Sequence, residues 1–86
     1  MWCTYIIYSS KIDKYYIGYT DDIDWRLKRH NYGWGRFTKT GIPWDLVYAE
    51  EFSDKLSAIK REREIKKKKS RIYIEELIKS RRKSSR

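Results

Sequence analysis

Cys3-Thr4-Tyr5-Ile6-Ile7-Tyr8, the polar stretch from Ser9 to Asp13, and then Tyr15-Tyr16-Ile17-Gly18-Tyr19 decide how this chain folds. Both outer runs are short, β-branched and aromatic, which suits a pleated, half-buried surface. Joined through about five polar residues, they predict a β-hairpin. Downstream, Asp21 and Asp22 offer N-cap carboxylates, Asp24 puts negative charge in a first turn, and Ile23 with Leu27 makes an i,i+4 apolar pair. A helix is therefore predicted from about Asp22 to His30. Asn31-Tyr32-Gly33-Trp34-Gly35 stops it, because the glycines can take the positive φ of a helix end. A loop runs through Pro43, Trp44 to Ala49 supplies a third strand, and Ser53 or Asp54 caps a second helix through about Lys67. Ser70 starts a third helix, with Tyr73, Ile74, Leu77 and Ile78 at helical spacing. The order β-β-α-β-α-α describes a small α+β sandwich.

At 86 residues there is room for one hydrophobic core, so a single domain is expected over residues 1–79, followed by a basic, flexible tail at 80–86 with nothing to bury. Four Trp, eight Tyr and two Phe must supply much of the buried area. Twenty-one Lys and Arg against twelve Asp and Glu leave a net charge of +9, beyond what solubility demands, and call for a polyanionic partner. No apolar run approaches the roughly 20 residues of a membrane span. Thr4, Ser9, Ser10 and Lys11 break up the first dozen residues, which argues against a secretion signal. With a single cysteine, Cys3, expected as a small buried apolar group, a reducing cytoplasm is the anticipated compartment.

Several positions carry candidate chemistry. Tyr5 and Tyr16 fall on adjacent strands of the hairpin, where two phenols can face one site, although aromatics covering a sheet face would look the same. Gly18 is either a bulge or a place where a phosphate or backbone comes close. Arg26 and His30, four apart, share a helix face at the edge of the core. One is a forked phosphate donor and the other exchanges a proton near neutral pH, the alternative being a solvated basic face. Glu62 is the most informative, because Ala58, Ile59 and Ile65 place its carboxylate inside an apolar stripe. Glu64 sits among Lys60, Arg61, Lys67 and Lys68 and needs only an exposed ion-pair role. A carboxylate at a core edge calls for a salt bridge, with Arg26 as the candidate, or for a hard ion such as Mg²⁺ held by one carboxylate, waters and a substrate phosphate.

Taken in order, Cys3-Thr4-Tyr5, ten residues, Tyr16-Ile17-Gly18, Asp22 to His30 and Ala58-Ile59-Lys60-Arg61-Glu62 resemble the GIY-YIG nuclease superfamily over about Cys3 to Ile78. The likeness is to its short stand-alone members, related to the nuclease domain of the bacterial excision-repair incision subunit. The resemblance implies a three-stranded antiparallel sheet flanked by helices, with the tyrosines, the arginine and the glutamate converging on one metal ion. It implies Glu62 as ligand of Mg²⁺ or Mn²⁺, Tyr5 helping to activate water, Arg26 and Tyr16 holding the phosphate, and His30 assisting with a proton or the phosphate. Two positions depart from the pattern. Cys3-Thr4-Tyr5 replaces Gly-Ile-Tyr, and Tyr19 stands where similar repair nucleases carry lysine, removing a charged partner that His30 is placed to replace.

The basic positions Arg36, Lys39, Lys66, Lys67, Lys68 and Arg71 lack base-reading signatures and read as phosphate-binding surface, or as a solvated helix junction. Trp34 and Phe37 can stack bases or pin their loop to the core. The leading expectation is a metal-dependent DNA endonuclease acting on branched or single-stranded structures in repair or recombination. A non-catalytic nucleic-acid-binding module is the alternative, and a protein-interaction adaptor is a third class that leaves the charge unexplained.

Overall fold

The computed structural model describes residues 1–84, in the order β1 (Trp2–Ser9), β2 (Lys14–Thr20), α1 (Ile23–Asn31), β3 (Asp45–Phe52), α2 (Lys55–Lys68) and α3 (Arg71–Ser84). A short 3-10 turn, Thr38–Gly41, lies within the long α1–β3 loop. The strands form one antiparallel sheet in the order β2-β1-β3. The expected α+β sandwich and its element order are therefore realised.

Because β1 is central and covered on both sides, Cys3 through Ile7 are all buried without a break. Strand alternation divides them between two cores. Cys3, Tyr5 and Ile7 pack with Trp44 and with Ile23 and Leu27 of α1. Ile6 packs on the opposite face with Ile17, Tyr48, Ile65 of α2 and Ile74 of α3. On that face the Thr4 hydroxyl donates to the Ala58 carbonyl at 2.8 Å, and Ala58, fully buried and without a bulky side chain, lets α2 lie close on β1.

Helix starts follow the acidic and hydroxyl residues. Asp22 Oδ1 accepts from Trp25 N, Asp54 Oδ2 from Ser57 N and Ser70 Oγ from Tyr73 N, each at 3.1 Å. Each cap contributes about 1 kcal/mol.

Three boundaries differ from expectation. Strand β3 runs on past Ala49 to Phe52, because Glu50, a poor strand former, is held by the Tyr48 hydroxyl at 2.5 Å and by Arg61 at 3.1 Å. Helix α2 ends on Lys69 in the left-handed region (φ 48°), a place where a glycine would have signalled the break. The α3 backbone continues to Ser84, into the stretch 80–86 read as a tail, whose residues 85 and 86 lie outside the described residues. Among the described residues, no helix is long and apolar enough to cross a membrane.

Candidate active site

The hairpin register sets Tyr5 opposite Gly18 and Tyr16 opposite Ile7, so both tyrosines face α1. At Gly18 the β1–β2 register runs on without a bulge. A Cβ there would lie 2.6 Å from the Tyr5 hydroxyl oxygen and 2.7 Å from its ring carbon Cζ, so the missing side chain makes room for Tyr5.

Tyr5, 1 % exposed, places its hydroxyl 2.9 Å from His30 Nε2, and His30 Nδ1 lies 3.0 Å from the Thr38 hydroxyl. The Thr38 carbonyl accepts from the Trp44 indole N–H at 2.6 Å. Asn31 fixes the Trp44 backbone from both sides, accepting from its N–H at 2.6 Å and donating to its carbonyl at 3.1 Å. A continuous relay thus runs from β1 across α1 into the loop. Thr38 was invisible to sequence reasoning: a lone threonine in a polar loop carries no periodic signal, and only folding buries it against His30.

Burial pushes the Tyr5 phenol well above its ordinary range, helped by Tyr16 and Cys3, while the positive charge of Arg26 works the other way. His30 is pulled down to about 4, first by burial and then by Arg26 and Arg29. At neutral pH this imidazole is uncharged, so one ring nitrogen is a proton acceptor.

Beside the relay opens a pocket of about 160 Å³ lined by Tyr16, Arg26, Arg29, His30, Trp34 and Gly35. The Tyr16 ring meets His30 edge-on at 5.1 Å and stacks on Phe37 at 6.1 Å. Arg26 Nε is buried and has no hydrogen-bond partner among the described residues. A buried unpaired donor on a cation is costly, and an anion bound in the pocket would relieve it.

Glu62 arrives from the other side of the sheet. Its side chain is 12 % exposed against 58 % for Glu64, as the apolar-stripe argument required, and Glu64 pairs with Arg61 at 2.6 Å. The salt bridge to Arg26, one of the two alternatives for Glu62, is not formed: Glu62 Oε2 meets Lys66 Nζ at 2.6 Å, one turn along α2. The reason is topological, since α1 and α2 pack on opposite faces. Lys66 connects the two sides, its ammonium lying 5.9 Å from the Tyr16 ring centroid. Tyr5, Tyr16, Arg26 and His30 therefore come together directly, whereas Glu62 is linked to them through Lys66. Among the described residues, no three His, Cys, Asp or Glu side chains gather at one point. That donor set fits only a hard cation that keeps most of its waters and takes a single carboxylate. Lys66, 48 % exposed, is free to yield its place on Glu62 to such an ion.

The remaining basic positions divide. Arg36, Lys39 and Lys67 are exposed. Lys68 lies over the Tyr73 ring at 5.4 Å, and Arg71 is held by Asp13 at 2.5 Å and Glu75 at 3.2 Å, bracing the hairpin loop on α3. Of the two loop aromatics, Phe37 packs against Tyr16 and Trp44, whereas Trp34 is 63 % exposed. Tyr19, in place of a lysine, sets its ring 6.3 Å from that of Trp2.

Two tyrosines on a central hairpin, an arginine and a histidine on the following helix and a recessed glutamate on the next define a protein of the GIY-YIG nuclease superfamily. The family model described as the GIY-YIG catalytic domain matches residues 1–81, and the chain belongs to that family. It is similar to the UPF0213 protein YazA of Bacillus subtilis, 41 % identical over 76 residues, covering 84 % of this chain and 77 % of that protein. It is also similar to the UPF0213 protein SH2523 of Staphylococcus haemolyticus, 46 % identical over 61 residues and covering 70 % and 74 %. The solution NMR structure of the UPF0213 protein BH0048 from Bacillus halodurans superposes with a TM-score of 0.56 at 34 % identity, covering 92 % of this chain and 84 % of that one.

Proposed function

We propose that this protein is a metal-dependent endonuclease that hydrolyses DNA phosphodiester bonds, acting on branched or single-stranded structures in repair or recombination. The observation that carries the reading is the pocket in which the unpartnered Arg26 Nε adjoins the Tyr5–His30 pair. A phosphate entering there gives Arg26 its missing acceptor, and Arg29 adds charge from the same wall. With His30 Nδ1 donating to Thr38, Nε2 accepts from the Tyr5 hydroxyl. Tyr5 lies behind His30, 1 % exposed and outside the pocket lining, so the step requires a water aligned on the phosphorus to reach its oxygen when substrate binds. That water passes its proton to Tyr5 as the Tyr5 proton moves to His30 Nε2, and the imidazolium then returns its proton to solvent. The hydroxide forms the new P–O bond, the bond to the leaving sugar oxygen breaks, and that oxygen takes a proton from solvent. Glu62 would hold Mg²⁺ or Mn²⁺, which when bound supplies charge neutralisation at the phosphate.

A second reading, a nucleic-acid-binding module without catalysis, is favoured by the Lys66 ammonium already seated on Glu62 and by Tyr19 in the lysine position. Nicking of plasmid, single-stranded and branched DNA in Mg²⁺ or Mn²⁺ decides between them. Cleavage by the wild type, with loss of at least tenfold in Glu62→Ala and Tyr5→Phe, is expected. Equal cleavage by all three sinks the proposed site, and binding without cleavage by the wild type selects the second reading.

A further inference from the structure

The relay and the pocket leave unused an exposed aromatic surface beside them. Trp25, on α1, and Tyr32 and Trp34, just past its end, are 50 %, 70 % and 63 % exposed. Their rings adjoin one another, with centroids 6.3 Å apart for Trp25–Trp34 and 6.3 Å for Tyr32–Trp34. The Arg29 guanidinium lies over both indoles, 5.1 Å from the Trp25 ring centroid and 5.5 Å from that of Trp34. Arg29 and Trp34 also line the pocket that holds Arg26. Neither core includes these three neighbouring large aromatics, which stay largely in water.

We propose that Trp25, Arg29, Tyr32 and Trp34 form a platform that stacks the unpaired base of a nucleotide whose neighbouring phosphate sits in the Arg26 pocket, which makes a strand with unpaired bases the preferred substrate over intact duplex. It rests on the nucleic-acid reading of that pocket.

Three physical points commit the platform to this occupant. Every nucleobase has a π-face that stacks on an indole or a guanidinium plane without regard to sequence. Inside a duplex those faces are hidden by neighbouring pairs, so only an overhang, flap, gap or single strand presents them. The surface is also part of a strongly cationic domain, with Arg29 set among the rings, where a polyanion gains and an apolar protein partner would have to bury a charge.

The test is binding in EDTA, where no cleavage is required, of the full chain to a fluorescein-labelled oligo(dT) and to a mixed-sequence duplex of equal length, with tryptophan fluorescence read in parallel. Wild type should bind the single strand more tightly, with quenched indole emission. Trp34→Ala and Trp25→Ala should each weaken single-strand binding about tenfold, leave duplex binding within about twofold, and, for Trp34→Phe, regain most of the loss. Equal binding of both DNA forms by the wild type, unchanged binding in the alanine variants, or equal loss on both forms would overturn the platform. So would sedimentation showing a dimer that Trp34→Ala dissociates, since a second copy would then own the surface. Single-strand preference in a protein that never cleaves in Mg²⁺ or Mn²⁺ upholds the platform and removes the endonuclease. Cleavage without that preference does the reverse.

Discussion

Lowering the pH from 7 to 5 should destabilise this protein by about 2 kcal/mol through His30 alone. In the unfolded chain the imidazole titrates near 6.5, whereas in the fold it is held down to about 4. Above pH 6.5 neither state binds the proton and nothing is lost. Between 6.5 and about 4 only the unfolded chain is protonated, so stability falls by up to about 1.4 kcal/mol per pH unit, and below about 4 the loss levels off at roughly 3 kcal/mol. His30 is 7 % exposed, so solvent screens little of this. The measurement is favourable because the chain has a single histidine, whose Cε1 proton resonance is identified without labelling. Urea unfolding at pH 7 and pH 5, for wild type and His30→Gln, supplies the energies. Gln keeps hydrogen-bonding capacity and has no proton to gain, so its midpoint should move much less. An imidazole titrating at or above 6.5, or parallel losses in the two proteins, would refute the claim that burial holds His30 neutral.

Gly18→Ala should cost about 2 kcal/mol, because the new methyl meets the buried Tyr5 ring and not a mobile side-chain end; a thermal melt lowered by roughly 10 °C, with Tyr5 displaced from His30, is expected. Asn31→Ala strips two hydrogen bonds from the Trp44 backbone and should lower the urea-derived stability by about 2 kcal/mol; a loss under about 0.5 kcal/mol would mean the loop is anchored elsewhere. Lys67→Ala removes an exposed charge outside the pocket, so it should reduce the slope of log K against log salt for duplex binding by about 0.9, with wild-type Tm.

The hairpin, α1 and the placement of Glu62 were legible because each is written in short-range periodicity: alternating or continuous apolar runs, an Asp before a helix, a carboxylate where the stripe wanted an apolar residue. What sequence could not supply were the cross-element partners. Lys66 and Arg26 are both cations near enough in principle to neutralise Glu62, and only the placement of α1 and α2 on opposite faces selects Lys66. Within one loop Thr38 is buried, Phe37 stays 46 % exposed with one side of its ring against Trp44, and Trp34 is 63 % exposed, a division set by Trp44, which also donates to the Thr38 carbonyl. Glu50, on β3, defeats strand propensity through a contact with Arg61 on α2.

The division of the site between two faces of one sheet has a consequence for descent. Tyr5, Tyr16, Arg26 and His30 are built by the hairpin, α1 and the loop behind them, while the carboxylate hangs on α2, which Ala58 and Ile65 hold in place whatever residue stands at 62. Position 62 belongs to neither core cluster and does not line the pocket, so the residues of the relay do not depend on it for their contacts. Under the proposed nuclease reading, a single codon change at position 62 would therefore separate cutting from holding, and the same change reversed would restore cutting.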